Sequence, residues 1–181
     1  AIVLRGEPAG GASPRRRRDL GLHFVPEERL GRGAVPALSL AQNLLLTRRE
    51  SVRRGWIARG PLAAQAASIV ERFRVKARGP GALARSLSGG NLQKFIVGRE
   101  IDAAPKVLIV AQPTWGVDVG AAAQIRAALL GLRDAGCAVL VVSEELDELF
   151  ELSDRLVVIA KGRLSPPVER AQASVERIGV W

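Results

Sequence analysis

Apolar positions fall into two rhythms along this chain. Short runs of four to five, rich in β-branched residues, stand at Lys106–Val110 and Ala138–Val142, with further short runs within Gly21–Val25 and Arg155–Ala160. Runs of this length and composition predict buried strands of a parallel sheet. The second rhythm is helical. Leu62, Ala66, Ile69 and Val70 share one face of a helix that Pro61 opens and that runs through about Phe73. A helix is expected from about Val119 to Ala135, and another after Ser88, whose amphipathic run carries Phe95, Ile96, Arg99 and Ile101. Ser39-Leu40-Ala41-Gln42 has the form of a capping box and starts a helix ending near Leu46. Ser13-Pro14-Arg15 combines an N-cap with proline at N1. Arg78–Gly81 reads as a loop, Ser165-Pro166-Pro167 breaks regular structure, and Ala171–Arg177 forms a last helical turn or short helix. The fold class is α/β.

Composition sets limits. A chain of 181 residues suffices for one domain with a sizeable core. No apolar run approaches the roughly 20 residues that span a bilayer, and no signal sequence is visible. Cys137, placed in a strand, has no partner for an intramolecular disulfide; a buried free thiol in a cytosolic compartment is expected. The net charge of +9 comes from arginine, as a block at Arg15–Arg18 and pairs at Arg48-Arg49 and Arg53-Arg54. With four Phe, three Trp and no Tyr there is little aromatic interleaving, so solvated helix faces, or nearness to lipid headgroups, account for it without nucleic acid. His23 is expected on a strand face, with no metal-ligand spacing around it.

The segment Leu87-Ser88-Gly89-Gly90-Asn91-Leu92-Gln93-Lys94 carries chemistry. Ser88 is a good N-cap, and two glycines leave backbone amides uncovered at the positive end of a helix, an arrangement suited to phosphate. An ordinary capped helix would look the same locally. The distinction comes some twenty residues on, where the strand Lys106–Val110 runs into Ala111-Gln112-Pro113-Thr114-Trp115-Gly116-Val117-Asp118. Together these segments resemble the signature, Walker B and D-loop of the ATP-binding-cassette (ABC) ATPases. Ser143–Leu149 resembles the switch region, and Arg155–Arg163 the closing strand and turn. The resemblance runs from about Ile2 to the C-terminus.

Within that family, Ala-Gln-Pro-Thr-x-Gly-Val-Asp-Val-Gly-Ala, with Val25–Arg29 and Gly31-Arg32-Gly33 upstream, resembles the second cassette of double-cassette importers for simple sugars and nucleosides, the nucleoside branch most closely. Trp115 departs from the arginine usual there. The resemblance implies a partial P-loop NTPase core with an inserted helical subdomain. The expected division is 1–26, an N-terminal remnant of the core; 27–86, Q-loop and helical subdomain; 87–164, signature, Walker B, D-loop and switch; and 165–181, a tail.

Three positions depart from the catalytic pattern. Ala111 stands where Asp would hold Mg²⁺ through water, and a methyl group cannot. Gln112 stands where Glu would polarise the attacking water; an amide orients water but does not accept its proton. Glu144 occupies the place of the switch histidine. These changes imply a site that hydrolyses ATP poorly or not at all, unless Asp118 or Glu144 compensates at the metal. Glu27 falls at the Q-loop position, usually Gln, which touches metal or water and links to the transmembrane subunit. No Gly-x-x-x-x-Gly-Lys-Ser/Thr loop precedes them: the lysines are Lys76, Lys94, Lys106 and Lys161, none after a glycine-rich loop. Ala1–Gly6 resembles the strand following the Walker A helix, so the chain reads as the C-terminal part of a cassette.

The mechanism implied is a shared site. In ABC dimers each nucleotide lies between one cassette's Walker motifs and the other's signature, so Ser88, Gly89, Gly90 and Asn91 would complete a site on a partner cassette, with Asp118 in the D-loop beside it. ATP and Mg²⁺ are the implied cofactors. A partner cassette, membrane permease subunits and, indirectly, a solute-binding protein are the implied partners, at the cytoplasmic face of the membrane. Two other classes stand beside this one: a non-catalytic regulatory or assembly module, and a soluble ABC protein acting on nucleic acid or ribosomes.

Overall fold

The computed structural model describes residues 2–48, 52–53 and 56–181. Arg49 and Arg54, each half of an expected arginine pair, lie outside them. The elements run in the order β1 (Val3–Leu4), β2 (Glu7–Pro8), α1 (Pro14–Asp19), β3 (Leu22–Val25), α2 (Leu40–Leu45), β4 (Val52–Arg53), β5 (Trp56–Ile57) and α3 (Arg59–Arg72). They continue with α4 (Gly89–Asp102), β6 (Val107–Ala111), α5 (Val119–Asp134), β7 (Ala138–Val142), α6 (Leu146–Leu152), β8 (Arg155–Leu156), β9 (Ile159–Ala160), β10 (Arg163–Leu164), β11 (Val168–Glu169) and α7 (Val175–Gly179).

The centre is a parallel sheet in the order β3-β6-β7, with Leu22 opposite Val107 and Val107 opposite Ala138. Consecutive side chains alternate between faces. Val25, Leu108 and Val110 are buried on one face, in a single apolar cluster with Phe95 and Ile96 of α4 and Ile125 and Leu129 of α5. The other face is open: Phe24, Leu140 and Val142 remain 48%, 55% and 51% exposed. The same cluster takes in Leu40 and Leu44 of α2 and Leu62, Ala66 and Ile69 of α3, so α4 is covered on both sides.

That position explains α4. Every residue from Leu92 to Ile101 is buried, including Gln93, Lys94, Arg99 and Glu100, so the expected amphipathic stripe is a helix enclosed all round. Its polar residues are tolerated because they are bonded. Arg99 Nε donates to Glu100 Oε1 at 2.8 Å, and Lys94 Nζ donates to the Arg74 carbonyl at 2.6 Å. Gly98 is the closest approach: a Cβ there would stand 2.6 Å from the Phe73 ring.

Local chemistry sets the helix ends. Ser13 Oγ accepts from Arg16 N, with Pro14 at the first turn. Ser39 and Gln42 form the reciprocal capping box of α2. The helix over α3 begins at Arg59, two residues before Pro61, because proline fits anywhere in the first turn where N–H groups lack acceptors. Two further details differ from the sequence pattern. Arg155–Ala160 is split into β8 and β9, and β11, beyond the Ser165–Pro167 break, pairs with β8 and ties the tail to the body. Cys137 is buried as expected, one residue before β7.

Candidate functional site

The N-terminus of α4 is built as the sequence suggests, with one difference in how its side chains are used. Ser88 caps the helix: its Oγ accepts from Asn91 N at 3.5 Å and from Asn91 Nδ2 at 2.9 Å. Asn91 Oδ1 accepts in turn from Lys76 N at 2.8 Å, so Ser88 and Asn91 are tied into the helix start and the preceding loop. The groups left for a ligand are the first amides of α4, which have no acceptor within the helix. Gly89 is exposed and Gly90 half-buried. A Cβ on Gly90 would meet Val117 of the D-loop segment at ordinary contact distance, 3.6 Å.

The segment after β6 folds against the same helix. Gln93 Nε2 donates to the Pro113 carbonyl at 3.0 Å. Thr114 Oγ1 donates to Glu148 Oε1 at 2.6 Å, fixing the segment to α6. Asp118, extended in backbone, caps α5 through an Oδ1 that accepts from Ala121 N at 2.9 Å. That bond and other backbone amides, with Lys94 adding a favourable charge, hold its carboxyl below the usual range against a smaller opposing effect of desolvation. Lys94 is itself pushed down, first by desolvation, with Asp118 opposing.

Gln112 has a left-handed backbone, φ +48°, and its N–H donates to the Val142 carbonyl at the end of β7 at 2.7 Å. Its Oε1 lies 3.5 Å from Glu144 N. Gln112 and Glu144, two of the three departures and 32 apart in sequence, thus meet across the ends of β6 and β7. Neither Ala111 nor Gln112 brings a carboxylate, Glu144 is exposed, and among the described residues no group of acidic, His or Cys side chains is gathered to hold a metal ion. With Asp118 Oδ1 engaged in capping, these residues do not fit Mg²⁺. Glu27 is exposed on the wall of a cavity of about 810 Å³ that Phe24, Arg32, Ala111 and Trp115 also line, so the Q-loop position and the end of β6 face one space.

Sequence reasoning passed over Arg29. Its guanidinium donates to the Trp115 carbonyl and stands 5.7 Å from the centre of the Trp115 ring. Burial pushes its pKa down. The signal was present in the sequence: Gly31 and Gly33 shape the loop that aims Arg29, and Trp115 stands where the family usually has arginine.

A fold of helices on a parallel sheet, with a capped glycine-rich helix start beside the loop that follows β6, is that of an ABC ATPase cassette. It overlays the ATP-binding cassette MJ0796, solved as a dimer bound to ADP and Pi, with a TM-score of 0.74 over 92% of this chain and 71% of that one, at 17% identity. No protein-family model matches the chain. By sequence it is related, over nearly its whole length, to ATP-binding proteins of sugar and nucleoside import. It is 37% identical over 179 residues to the ribose import ATP-binding protein RbsA 1 of Rubrobacter xylanophilus, covering 98% of this chain and 36% of that protein. It is 37% identical over 182 residues to the guanosine import ATP-binding protein NupO of Bacillus subtilis, covering 99% and 36%. With the glucose import ATP-binding protein TsgD13 of Haloferax volcanii it shares 40% over 184 residues, covering 99% and 34%. The chain therefore spans about a third of the length of the curated relatives it matches. Sugar and nucleoside importers match it at nearly the same identity.

Proposed function

We propose that this chain is the signature-bearing part of a second cassette in an ABC importer for simple sugars or nucleosides. It lends Ser88, Gly89, Gly90 and Asn91 to an ATP site whose phosphate loop and metal ligands belong to a partner cassette. The observation that carries this is an asymmetry. The helix start that would meet a partner's nucleotide is intact, with capping Ser88 and free first amides. The end of β6, where its own site would hold metal and water, offers only Ala111 and Gln112.

In this reading the amides of Gly89 and Gly90 receive the γ-phosphate, aided by the dipole of the fourteen-residue α4. Ser88 and Asn91 hold that start in shape. ATP, held with Mg²⁺ by the partner cassette, would supply the γ-phosphoryl group that passes to water, leaving ADP. Asp118 fixes the D-loop by capping α5, and Gln112 with Glu144 shapes a degenerate site that does not turn over. The open sheet face at Phe24, Leu140 and Val142 supports a cassette completed by further structure packed there. No helix among the described residues is long and apolar enough to cross a membrane. Membrane association at the cytoplasmic face would thus run through permease subunits, which, with a solute-binding protein, would choose the solute. The helical segment within 27–86 would dock the permease, and no nucleic-acid role is proposed. The non-catalytic assembly module remains the second reading, favoured by the same Ala111 and Gln112.

The test is ATP turnover by the intact cassette protein with its permease. Ser88→Arg should lower turnover by about 100-fold or more, because it fills and recharges the phosphate-facing turn. Gln112→Ala should leave it within about twofold. Damage from Gln112→Ala instead would make the end of β6 a working catalyst and end this reading.

A further inference from the structure

The loop between β3 and α2 is shaped to deliver one side chain. Gly33 N donates to the Glu28 carbonyl at 2.9 Å, and Ala34 N to the Arg29 carbonyl at 2.7 Å. Gly31 closes the turn with φ +95°, a conformation glycine takes without steric cost. Gly33 packs directly on α4: a Cβ there would stand 2.9 Å from Cδ1 of Ile96. Anchored in this way, the loop sends Arg29 along the N-terminal end of α4. Its guanidinium donates to the Trp115 carbonyl, faces the Trp115 ring, and lies beside Gly116 and Gly89.

Gly89 is the informative contact. A Cβ on it would stand only 2.7 Å from Arg29 Nη1, whereas the nearest backbone raises no conflict. Glycine at this position of the signature thus makes room for an arginine from a segment sixty residues earlier. The obstacle is the far end of a flexible side chain, so a methyl at Gly89 would displace the guanidinium at little cost to the fold.

We propose that Arg29 is a positioning residue that locks the D-loop at Trp115 to the first turn of the signature helix, so that the two segments move as one unit. This deepens the shared-site reading, on which its functional meaning rests: a partner cassette would meet signature and D-loop as one preset surface. It also gives Trp115 a role. Its indole gives the cation a π face beside the backbone carbonyl that any residue would offer there, whereas an arginine side chain would repel it.

The test uses the full chain without nucleotide, so it stands independently of ATP turnover and of the Ser88→Arg result. In a Trp56→Phe, Trp181→Phe background, Trp115 is the sole indole, and acrylamide quenching reports its exposure. Trp115 is 60% exposed with Arg29 in place, so Arg29→Ala should raise the quenching constant by about 1.3–1.5-fold. Gly89→Ala should raise it comparably although it does not touch Trp115, and the two together should do no more than Arg29→Ala alone. Arg29→Lys should restore protection only in part, since an ammonium cannot span carbonyl and ring as a fork does. Gly131→Ala, with open space around its Cβ, is the control and should change nothing. Circular dichroism establishes that each variant is folded. An unchanged Trp115 in Gly89→Ala, or additive effects of the two substitutions, would overturn the proposal. A positive result beside an inert Ser88→Arg would leave the lock standing and remove the shared site.

Discussion

His23 and Glu100, 77 positions apart, meet at 2.7 Å between Nδ1 and Oε2, joining the first strand of the sheet to the last turn of α4. Glu100 is fully buried, and Arg99 at 2.8 Å and Arg18 at 3.2 Å complete its surroundings. Burial alone would raise its pKa. The hydrogen bond with His23 and the charges of Arg99 and Arg18 outweigh burial and hold it at about 2. A carboxyl depressed in the folded state contributes stability above its unfolded value, and that contribution is lost as pH falls through the interval from about 4.5 to about 2. Glu100→Gln should therefore cost about 3 kcal/mol at neutral pH. It should also flatten the loss of stability between about pH 4.5 and 2 relative to the parent. Urea unfolding across that range measures both, and parallel pH curves would refute the assignment.

Gly98 and Phe73 predict a steric effect. A methyl on Gly98 would enter the Phe73 ring at 2.6–2.9 Å, within the core shared by α3 and α4. Gly98→Ala should destabilise by about 1–3 kcal/mol despite alanine's better helix propensity. Adding Phe73→Leu should recover part of the loss, as a thermal-unfolding cycle would show.

The capping box of α2 can be removed without touching the core. Ser39→Ala deletes the acceptor for Gln42 N, and with it about 1 kcal/mol. Ser39→Asp should retain most of that contribution, so equal losses in the two variants would contradict the cap.

Cys137 is 6% exposed, and burial pushes its thiol pKa up. Both effects lower the supply of accessible thiolate. Iodoacetamide at pH 8 should alkylate the native chain at least about tenfold more slowly than the urea-unfolded chain. Equal rates would mean that β7 opens readily at its start.

Much of this protein could be read from nearest neighbours alone. Ser13, Ser39, Ser88 and Asp118 all cap the helices they precede, and the apolar runs at 22–25, 107–111 and 138–142 are the three strands of the parallel sheet. Caps and period depend on groups within one turn or one strand, so the sequence by itself determined them, along with the signature and the altered residues after β6. The tertiary structure decided what is enclosed and what converges. It buried α4 on all sides because helices and sheet both pack on it, and so converted Arg99 and Glu100 from a helix face into a buried ion pair. Only the parallel crossing of β6 and β7 brought Gln112 to Glu144, and only the packing of Gly33 on Ile96 carried Arg29 to Trp115 and Gly89. Contacts across tens of residues depend on how elements pack, and no periodicity along the chain encodes that.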